Sequence, residues 1–183
     1  MPQPGAPSLS YVILPAGPTD AEDLARIHVT AWRETYRGLL PDALLARMSE
    51  VGHARRFRRE LADPAAGAVT LLAASRQGAF GYVMGGPSRS GVEGEGEIAL
   101  LYLLRAGQGR GAGKRLLQSA ARALAAQGAR SLAINVLREN LPARAFYEHL
   151  GGVADAARQE PGPGGQVWEV TYRWAQIGEV LGR

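Results

Sequence analysis

Gln108-Gly109-Arg110-Gly111-Ala112-Gly113 lies between an apolar run, Ile98 to Leu104, and a helix-patterned stretch, Lys114 to Gln127. The order is strand, glycine turn, helix start. At such a junction successive backbone N–H groups can converge on one anionic ligand, and the helix N-terminus adds roughly half a positive charge. Glycine at alternate positions leaves the main chain bare for close approach and free to take positive φ. A turn that is glycine-rich only because it turns has the same appearance, so the flanks must decide.

The flanks are basic. From Ile98 to Arg138 there is no Asp or Glu, while Arg105, Arg110, Lys114, Arg115, Arg122, Arg130 and Arg138 are all cationic. Such a segment attracts a polyanion, although Arg122 and Arg130 also suit a solvated helix face. A P-loop would need Gly at position 108 and Ser or Thr at 115, where the chain has Gln108 and Arg115, so its magnesium-binding hydroxyl is missing. A dinucleotide fingerprint on Gly107, Gly109 and Ala112 would need an acid about twenty residues on to hold the ribose, and none is there.

Gln-x-x-Gly-x-Gly after a strand resembles the acetyl-CoA loop of the GNAT superfamily of N-acetyltransferases. Glu97-Ile98-Ala99-Leu100-Leu101-Tyr102-Leu103 is similar to that family's central strand, and Lys114-Arg115-Leu116-Leu117 to the start of its cofactor helix. Ile134-Asn135-Val136, then Asn140, Ala143, Ala145, Phe146-Tyr147-Glu148 and Leu150-Gly151, resembles its next motif. The resemblance spans about residues 97 to 152. Ala31-Trp32-Arg33-Glu34-Thr35-Tyr36-Arg37-Gly38-Leu39-Leu40-Pro41 resembles the start of a broad bacterial subgroup, without naming a substrate.

The resemblance implies an α/β fold of the GNAT acyl-CoA N-acyltransferase type, with a mixed central sheet, splayed central strands and helices on both faces. It implies acetyl-CoA as co-substrate, no metal, and direct transfer of acetyl to a primary amine of a small molecule or peptide in a ternary complex. The N–H groups of Gly109, Arg110, Gly111, Ala112, Gly113 and Lys114 would take the pyrophosphate, with Gln108 as family loop residue. Leu101, Tyr102 and Leu103 would line the pantetheine, and the main-chain N–H near Leu103 would polarise the acetyl oxygen. Asn140 would bond the cofactor's amides or cap the helix ahead of Pro142, readings that are compatible.

Tyr147 is the expected general acid, because a phenol with pKa near 10 stays protonated at neutral pH and can protonate a departing thiolate. A packed aromatic is the competing reading, and Phe146 suits it better. Glu97 is the candidate base, acting through water, with Glu93 and Glu95 as rivals. The family sometimes places a carboxylate where Asn135 stands here. Trp32 and Tyr36, one helical turn apart, are expected to wall the acceptor site, core packing being the alternative for Trp32. Glu34, Glu93 and Glu95 are candidates to attract a cationic amine.

Bulk properties bound the rest. The chain has 183 residues, 46% hydrophobic and 21% charged, which suits one globular domain. Expected boundaries are a flexible segment at 1–9, the acetyltransferase domain at 10–176 and a tail at 177–183. Cysteine is absent, which excludes disulfides and a thiol acyl-enzyme route. His28, His53 and His149 lack metal-ligand spacing. The net charge is +4 and the pI near 9.8, with Lys114 as the only lysine. Neither a nucleic-acid partner nor a membrane span is expected, since Arg55-Arg56-Phe57-Arg58-Arg59 fits a solvated helix with Phe57 inward. Cytoplasmic residence and a homodimer through the apolar Val167 to Tyr172 strand are further expectations. A non-catalytic acyl-CoA sensor and a basic nucleic-acid module are the competing functional classes.

Along the chain, Tyr11 to Leu14 is β-prone. Thr19 with Glu22 makes a capping box for a helix whose inner face carries Leu24, Ile27, His28, Ala31, Trp32 and Thr35. Helix is expected from Leu39 to Met48 and Gly52 to Leu61. Val69 to Ala74 and Ala79 to Met84 form a hairpin, Gly85 to Gly96 a loop, and Glu97 to Leu104 a strand. Helix is expected from Arg110 to Gln127 and Asn140 to Leu150, with strand from Ser131 to Leu137. Strands Val153 to Ala157 and Gln166 to Trp174 flank Pro161 to Gly165.

Overall fold

A computed structural model describes residues 10–162 and 164–182; the segment 1–9, expected to be flexible, lies outside the described residues. The strands are β1 (Tyr11–Pro15), β2 (Val69–Ser75), β3 (Gly78–Pro87), β4 (Glu95–Leu103), β5 (Ser131–Leu137), β6 (Val153–Ala154), β7 (Arg158–Gly162) and β8 (Gly165–Trp174). The helices are α1 (Ala21–Tyr36), α2 (Asp42–Ala46), α3 (Glu50–Ala62), α4 (Ala112–Ala126), α5 (Leu141–His149) and α6 (Gly178–Leu181). The strands form one mixed sheet in the order β1-β2-β3-β4-β5-β8-β6, with β7 also paired to β8. Only β4 and β5 run parallel, connected by α4, as a crossover requires.

Side-chain alternation separates the two faces. Ile98, Leu132, Ile134, Val136, Val170, Tyr172 and Trp174 face α4, whose Leu116, Leu117, Ala120, Ala121 and Leu124 are buried against them. On the opposite face Leu24, Ile27 and Phe57 of α1 and α3 pack on Leu72 and Tyr82. Helices on both faces thus follow from period-2 strands meeting period-3.6 helices. Further along that second face, over β5 and β8, a smaller apolar group of Tyr36, Leu40 and Leu45 with Leu137 and Val167 stands in for helix cover. Residues 95, 97, 133, 135, 169, 171 and 173 share the strip beside it.

Several boundaries differ from expectation. Thr19 and Glu22 form no capping box: a single 3-10 turn, Pro18–Asp20, precedes α1, and Asp20 Oδ2 accepts from the Gly17 N–H at 2.8 Å. Glu22 instead pairs with Arg58 of α3. The helix expected from Leu39 to Met48 is reduced to α2, and α3 begins afresh with Ser49 Oγ accepting the Gly52 N–H. β3 and β4 extend into the expected loop as far as Pro87 and from Glu95. β7 was not expected; it pairs with β8 from Arg158↔Glu169 to Gly162↔Gly165. The C-terminal segment is no free tail over 178–181, where α6 docks Val180, fully buried, on α4 and Gln118 Nε2 donates to the Val180 carbonyl at 3.0 Å.

Candidate active site

The site begins where the sheet divides. β4 and β5 pair only from Glu95↔Ser131 to Ile98↔Ile134. On its other edge β4 stays with β3 as far as Leu103↔Gly81, with Ala99 the extra residue of a bulge between Ile98↔Gly85 and Leu100↔Met84. The bulge twists β4 away from β5, and a cleft opens between them. The Leu104 N–H bonds Phe80 O at 2.9 Å on the β3 side, so strand alternation turns the main-chain groups of Leu101 and Leu103 into the cleft. One of them is used: the Leu103 carbonyl accepts from Gln108 Nε2 at 3.0 Å. Gln108 therefore ties the loop back to the strand it follows.

The loop closes the same end of the cleft. Gly109 and Gly111 have φ of +70° and +75°, the left-handed region that glycine adopts without a steric penalty. Helix α4 starts at Ala112, two residues later than the expected Arg110, and its first hydrogen bond runs from the Arg115 N–H to Gly111 O at 3.0 Å. Among the described residues, no protein acceptor meets the N–H groups of Gly109 to Lys114. Six successive N–H groups without acceptors, at the positive end of α4 and within a stretch that carries Arg110 and Lys114, make this loop a candidate anion cradle.

At the mouth, hydroxyls converge. The Tyr36 hydroxyl, at the end of α1, lies 3.1 Å from that of Tyr102 on β4. Burial pushes the Tyr36 phenol up, the bond to Tyr102 and the Asn140 amide pull it back, and the Glu169 carboxylate adds to the rise. Tyr147 on α5 is 6% exposed, more deeply buried than Phe146, so packing is as true of Tyr147 as of its neighbour. Phe146 lies instead beside Gly113 of the cradle. The Tyr147 ring meets Tyr172 and Trp174 at 5.8 and 6.4 Å, and burial, then Tyr36, hold its phenol well above the usual tyrosine range. Asn140 Oδ1 accepts the Ala143 N–H at 3.3 Å and caps α5, as the capping reading required. Trp32 stacks edge-on to Tyr36 at 4.9 Å, and its Nε1 is buried with no partner among the described residues. Trp32, Tyr36, Tyr102, Asn140 and Tyr147 are thus brought to one place.

The carboxylates are distributed differently. Glu97 is buried and held by Arg89, through Oε1 at 2.5 Å from the guanidinium and Oε2 at 3.1 Å from the backbone N–H. Burial pushes its carboxyl up, but the Arg89 bonds outweigh that and leave it below the usual range. Glu95 is taken by Ser88, Ser90 and Arg173. Glu34 Oε2 accepts the Arg105 N–H at 3.2 Å. Asn135 Oδ1 accepts from Thr171 Oγ1 at 2.7 Å. Glu169 on β8, which sequence reasoning passed over, is half-buried and has neither hydrogen bond nor ion pair among the described residues. Its only signal in the sequence was a charge within an apolar strand. Among the described residues, no group of three or more His, Asp or Glu is placed to hold a metal, and no helix is long and apolar enough to cross a membrane.

The chain is similar to known proteins. The model of the acetyltransferase (GNAT) family matches residues 23–152. The uncharacterized N-acetyltransferase YuaI of Bacillus subtilis is 32% identical over 130 residues, 70% of this chain and 72% of that protein. A crystal structure of a GNAT-family acetyltransferase assignment from Desulfovibrio desulfuricans superposes with a TM-score of 0.70 at 21% identity, covering 92% of this chain and 99% of that one. The yncA acetyltransferase assignment from Salmonella typhimurium, solved with acetyl-CoA, gives 0.67 at 18%, covering 92% and 94%. PaiA N-acetyltransferase from Thermoplasma acidophilum, solved with coenzyme A, gives 0.66 at 18%, covering 90% and 99%. The matched segment runs from α1 through the split strands and the cradle to the end of α5, and on that match the chain belongs to the acetyltransferase (GNAT) family.

Proposed function

We propose that the chain transfers the acetyl group of acetyl-CoA to a primary amine of a small molecule or peptide, within a ternary complex. The observation that carries this reading is the pairing of a split sheet with a row of unpartnered N–H groups at its end. The site fits the co-substrate: the N–H groups of Gly109 to Lys114 meet no acceptor among the described residues, and Cβ atoms built on Gly109 and Gly111 meet nothing within 4 Å, so nothing packs on the loop at those two positions. Gly109 to Lys114 would hold the diphosphate, and the main-chain groups of Leu101 and Leu103 the pantetheine amides, as an added strand edge would. Acetyl-CoA supplies the activated acyl group.

The protein's own groups then divide the work. A main-chain N–H of the Leu101–Leu103 segment would stabilise charge developing on the acyl oxygen, a kind of contribution worth about 3 kcal/mol when such a donor is removed elsewhere. Tyr147, kept protonated by burial, gives its hydroxyl proton to the sulfur as the carbon–sulfur bond breaks. The proton that the amine loses after attack restores the phenol. Trp32 and Tyr36 wall the acceptor end. Glu97 is poorly suited to accept a proton while Arg89 holds it.

The test is a panel of small amines and short peptides with acetyl-CoA, following free thiol and the acetylated product by mass. Thiol release dependent on an amine, with matching product, is expected. Coenzyme A binding without acetyl transfer to any amine would leave a sensor rather than an enzyme.

A further inference from the structure

Resting on the acetyl-transfer reading, we propose that Glu169, not Glu97, receives the ammonium group of the acceptor and takes its proton. The carboxylates on the open strip of the sheet differ in whether a cation engages them. Glu95 and Glu97 each carry an arginine partner, and Asp155 is shared by Arg173 and Arg158. Glu169 has none among the described residues, although it is half-buried on the same face.

Its placement is set by register. Glu169 lies opposite Leu137 of β5, three residues beyond Ile134, where β4 and β5 have already parted. It therefore flanks the open end of the cleft, next to the apolar wall of Tyr36, Leu40 and Val167. The charges around it are Arg158, opposite in register, and Glu160 on β7, Glu97 on β4, Arg89 on the β3–β4 loop, and the Tyr36 phenol of α1. Burial, Glu160 and Glu97 together push its carboxyl up and Arg89 only partly offsets them. A group so placed is a better proton acceptor than a carboxylate locked to arginine. A cation entering beside it also relieves the repulsion from Glu160.

The step balances simply. One N–H bond of the ammonium breaks and its proton goes to a Glu169 carboxylate oxygen, leaving the nitrogen lone pair free to attack the thioester carbon. The carbon–sulfur bond breaks and sulfur takes the Tyr147 proton. The new amide nitrogen returns a proton to the Tyr147 oxygen, and Glu169 releases its proton to water. The acceptor class is an amine that is cationic in solution and reaches the cleft past an apolar wall.

The experiment compares wild type, Glu169→Gln, Glu169→Asp and Glu97→Gln, measuring kcat/KM from pH 6.5 to 10 on an accepted amine of pKa near 8, with coenzyme A affinity by calorimetry. Glu169→Gln should lower kcat/KM about 100-fold near pH 7, with the deficit shrinking severalfold toward pH 10 as the amine deprotonates in solution. Coenzyme A affinity should stay within about twofold of wild type. Glu169→Asp should recover part of the activity with the wild-type pH shape, and Glu97→Gln should keep that shape. A Glu169→Gln enzyme within threefold of wild type, a deficit constant across pH, or a shrinking deficit in Glu97→Gln instead would overturn the role alone. A wild type that binds coenzyme A and acetylates nothing would overturn the activity and this role with it.

Discussion

Replacing Gly111 by Ala tests the cradle with the smallest possible change. Gly111 has φ +75° and ψ 0°, and its added Cβ would meet no atom within 4 Å, so the substitution brings strain without a clash. A residue with a Cβ in the left-handed region costs about 1–2 kcal/mol. Little within the loop opposes relaxation: the N–H groups of Gly109 to Lys114 have no acceptors among the described residues, and the Arg115 N–H bond to Gly111 O is what ties the residue to α4. The free loop therefore relaxes and the strain returns when a diphosphate must be gripped. Coenzyme A affinity should fall about 5- to 30-fold, the equivalent of 1–2 kcal/mol, while Tm drops by less than about 2 °C. Gly128→Ala, at φ +98° past the other end of α4, is the control: comparable strain, unchanged affinity. Calorimetry on the three proteins decides it. An unchanged Kd for Gly111→Ala would refute the claim that these N–H groups hold the ligand.

Tyr147→Phe should lower kcat about 100-fold or more at neutral pH while leaving coenzyme A affinity within about threefold, as steady-state kinetics with calorimetry would read; equal losses in both would make Tyr147 a binding residue. Arg89→Ala should lower Tm by about 2–4 °C at pH 7, the equivalent of about 1 kcal/mol for so exposed an arginine. Glu97 has its folded-state pKa below the unfolded value of 4.5, so this contribution is complete above that pH and lost as pH falls through the lowered value. The gap in Tm should narrow as pH falls below 4.5 and close once Glu97 is protonated in the folded protein. His28, 2.6 Å from the Tyr82 hydroxyl, is held neutral down to a pKa of about 3 by burial, then His53 and Arg56. The unfolded chain takes up that proton from pH 6.5 downward, so stability falls by about 1.4 kcal/mol per pH unit between 6.5 and 3. His28→Gln should flatten the fall of Tm between pH 6.5 and 5, and an unaltered slope would contradict the burial argument.

What was legible in the sequence and what was not divides by range. The glycine loop, the helix that follows it and the α1 stripe of Leu24, Ile27, His28 and Ala31 were readable because their information is local and periodic. The splaying of the central strands came from family resemblance rather than from any residue pattern, and the positions of the bulge at Ala99 and the split after Ile98 came only from the structure. β7 was hidden because Arg158-Gln159-Glu160-Pro161-Gly162 has no alternation and ends in two turn formers; its pairing with β8 makes it a strand. The Thr19–Glu22 box failed because Thr19 lies inside the 3-10 turn and α1 takes Asp20 as its N-cap, while Glu22 pairs with Arg58, thirty-six residues away. The carboxylates show the same limit most plainly. Whether Glu97 or Glu169 is free depends on Arg89, a loop residue whose reach across eight positions no spacing rule encodes.

Only four residue pairs join β1–β4 to β5–β8 along the ladder. The sheet is two plates riveted at one end, with α4 clamped across the rivet. Whatever lies along Leu101 and Leu103 becomes a strut between the plates, so recognition and stiffening are a single event. The free energy of occupancy is then also resistance to unfolding, growing with the logarithm of ligand concentration.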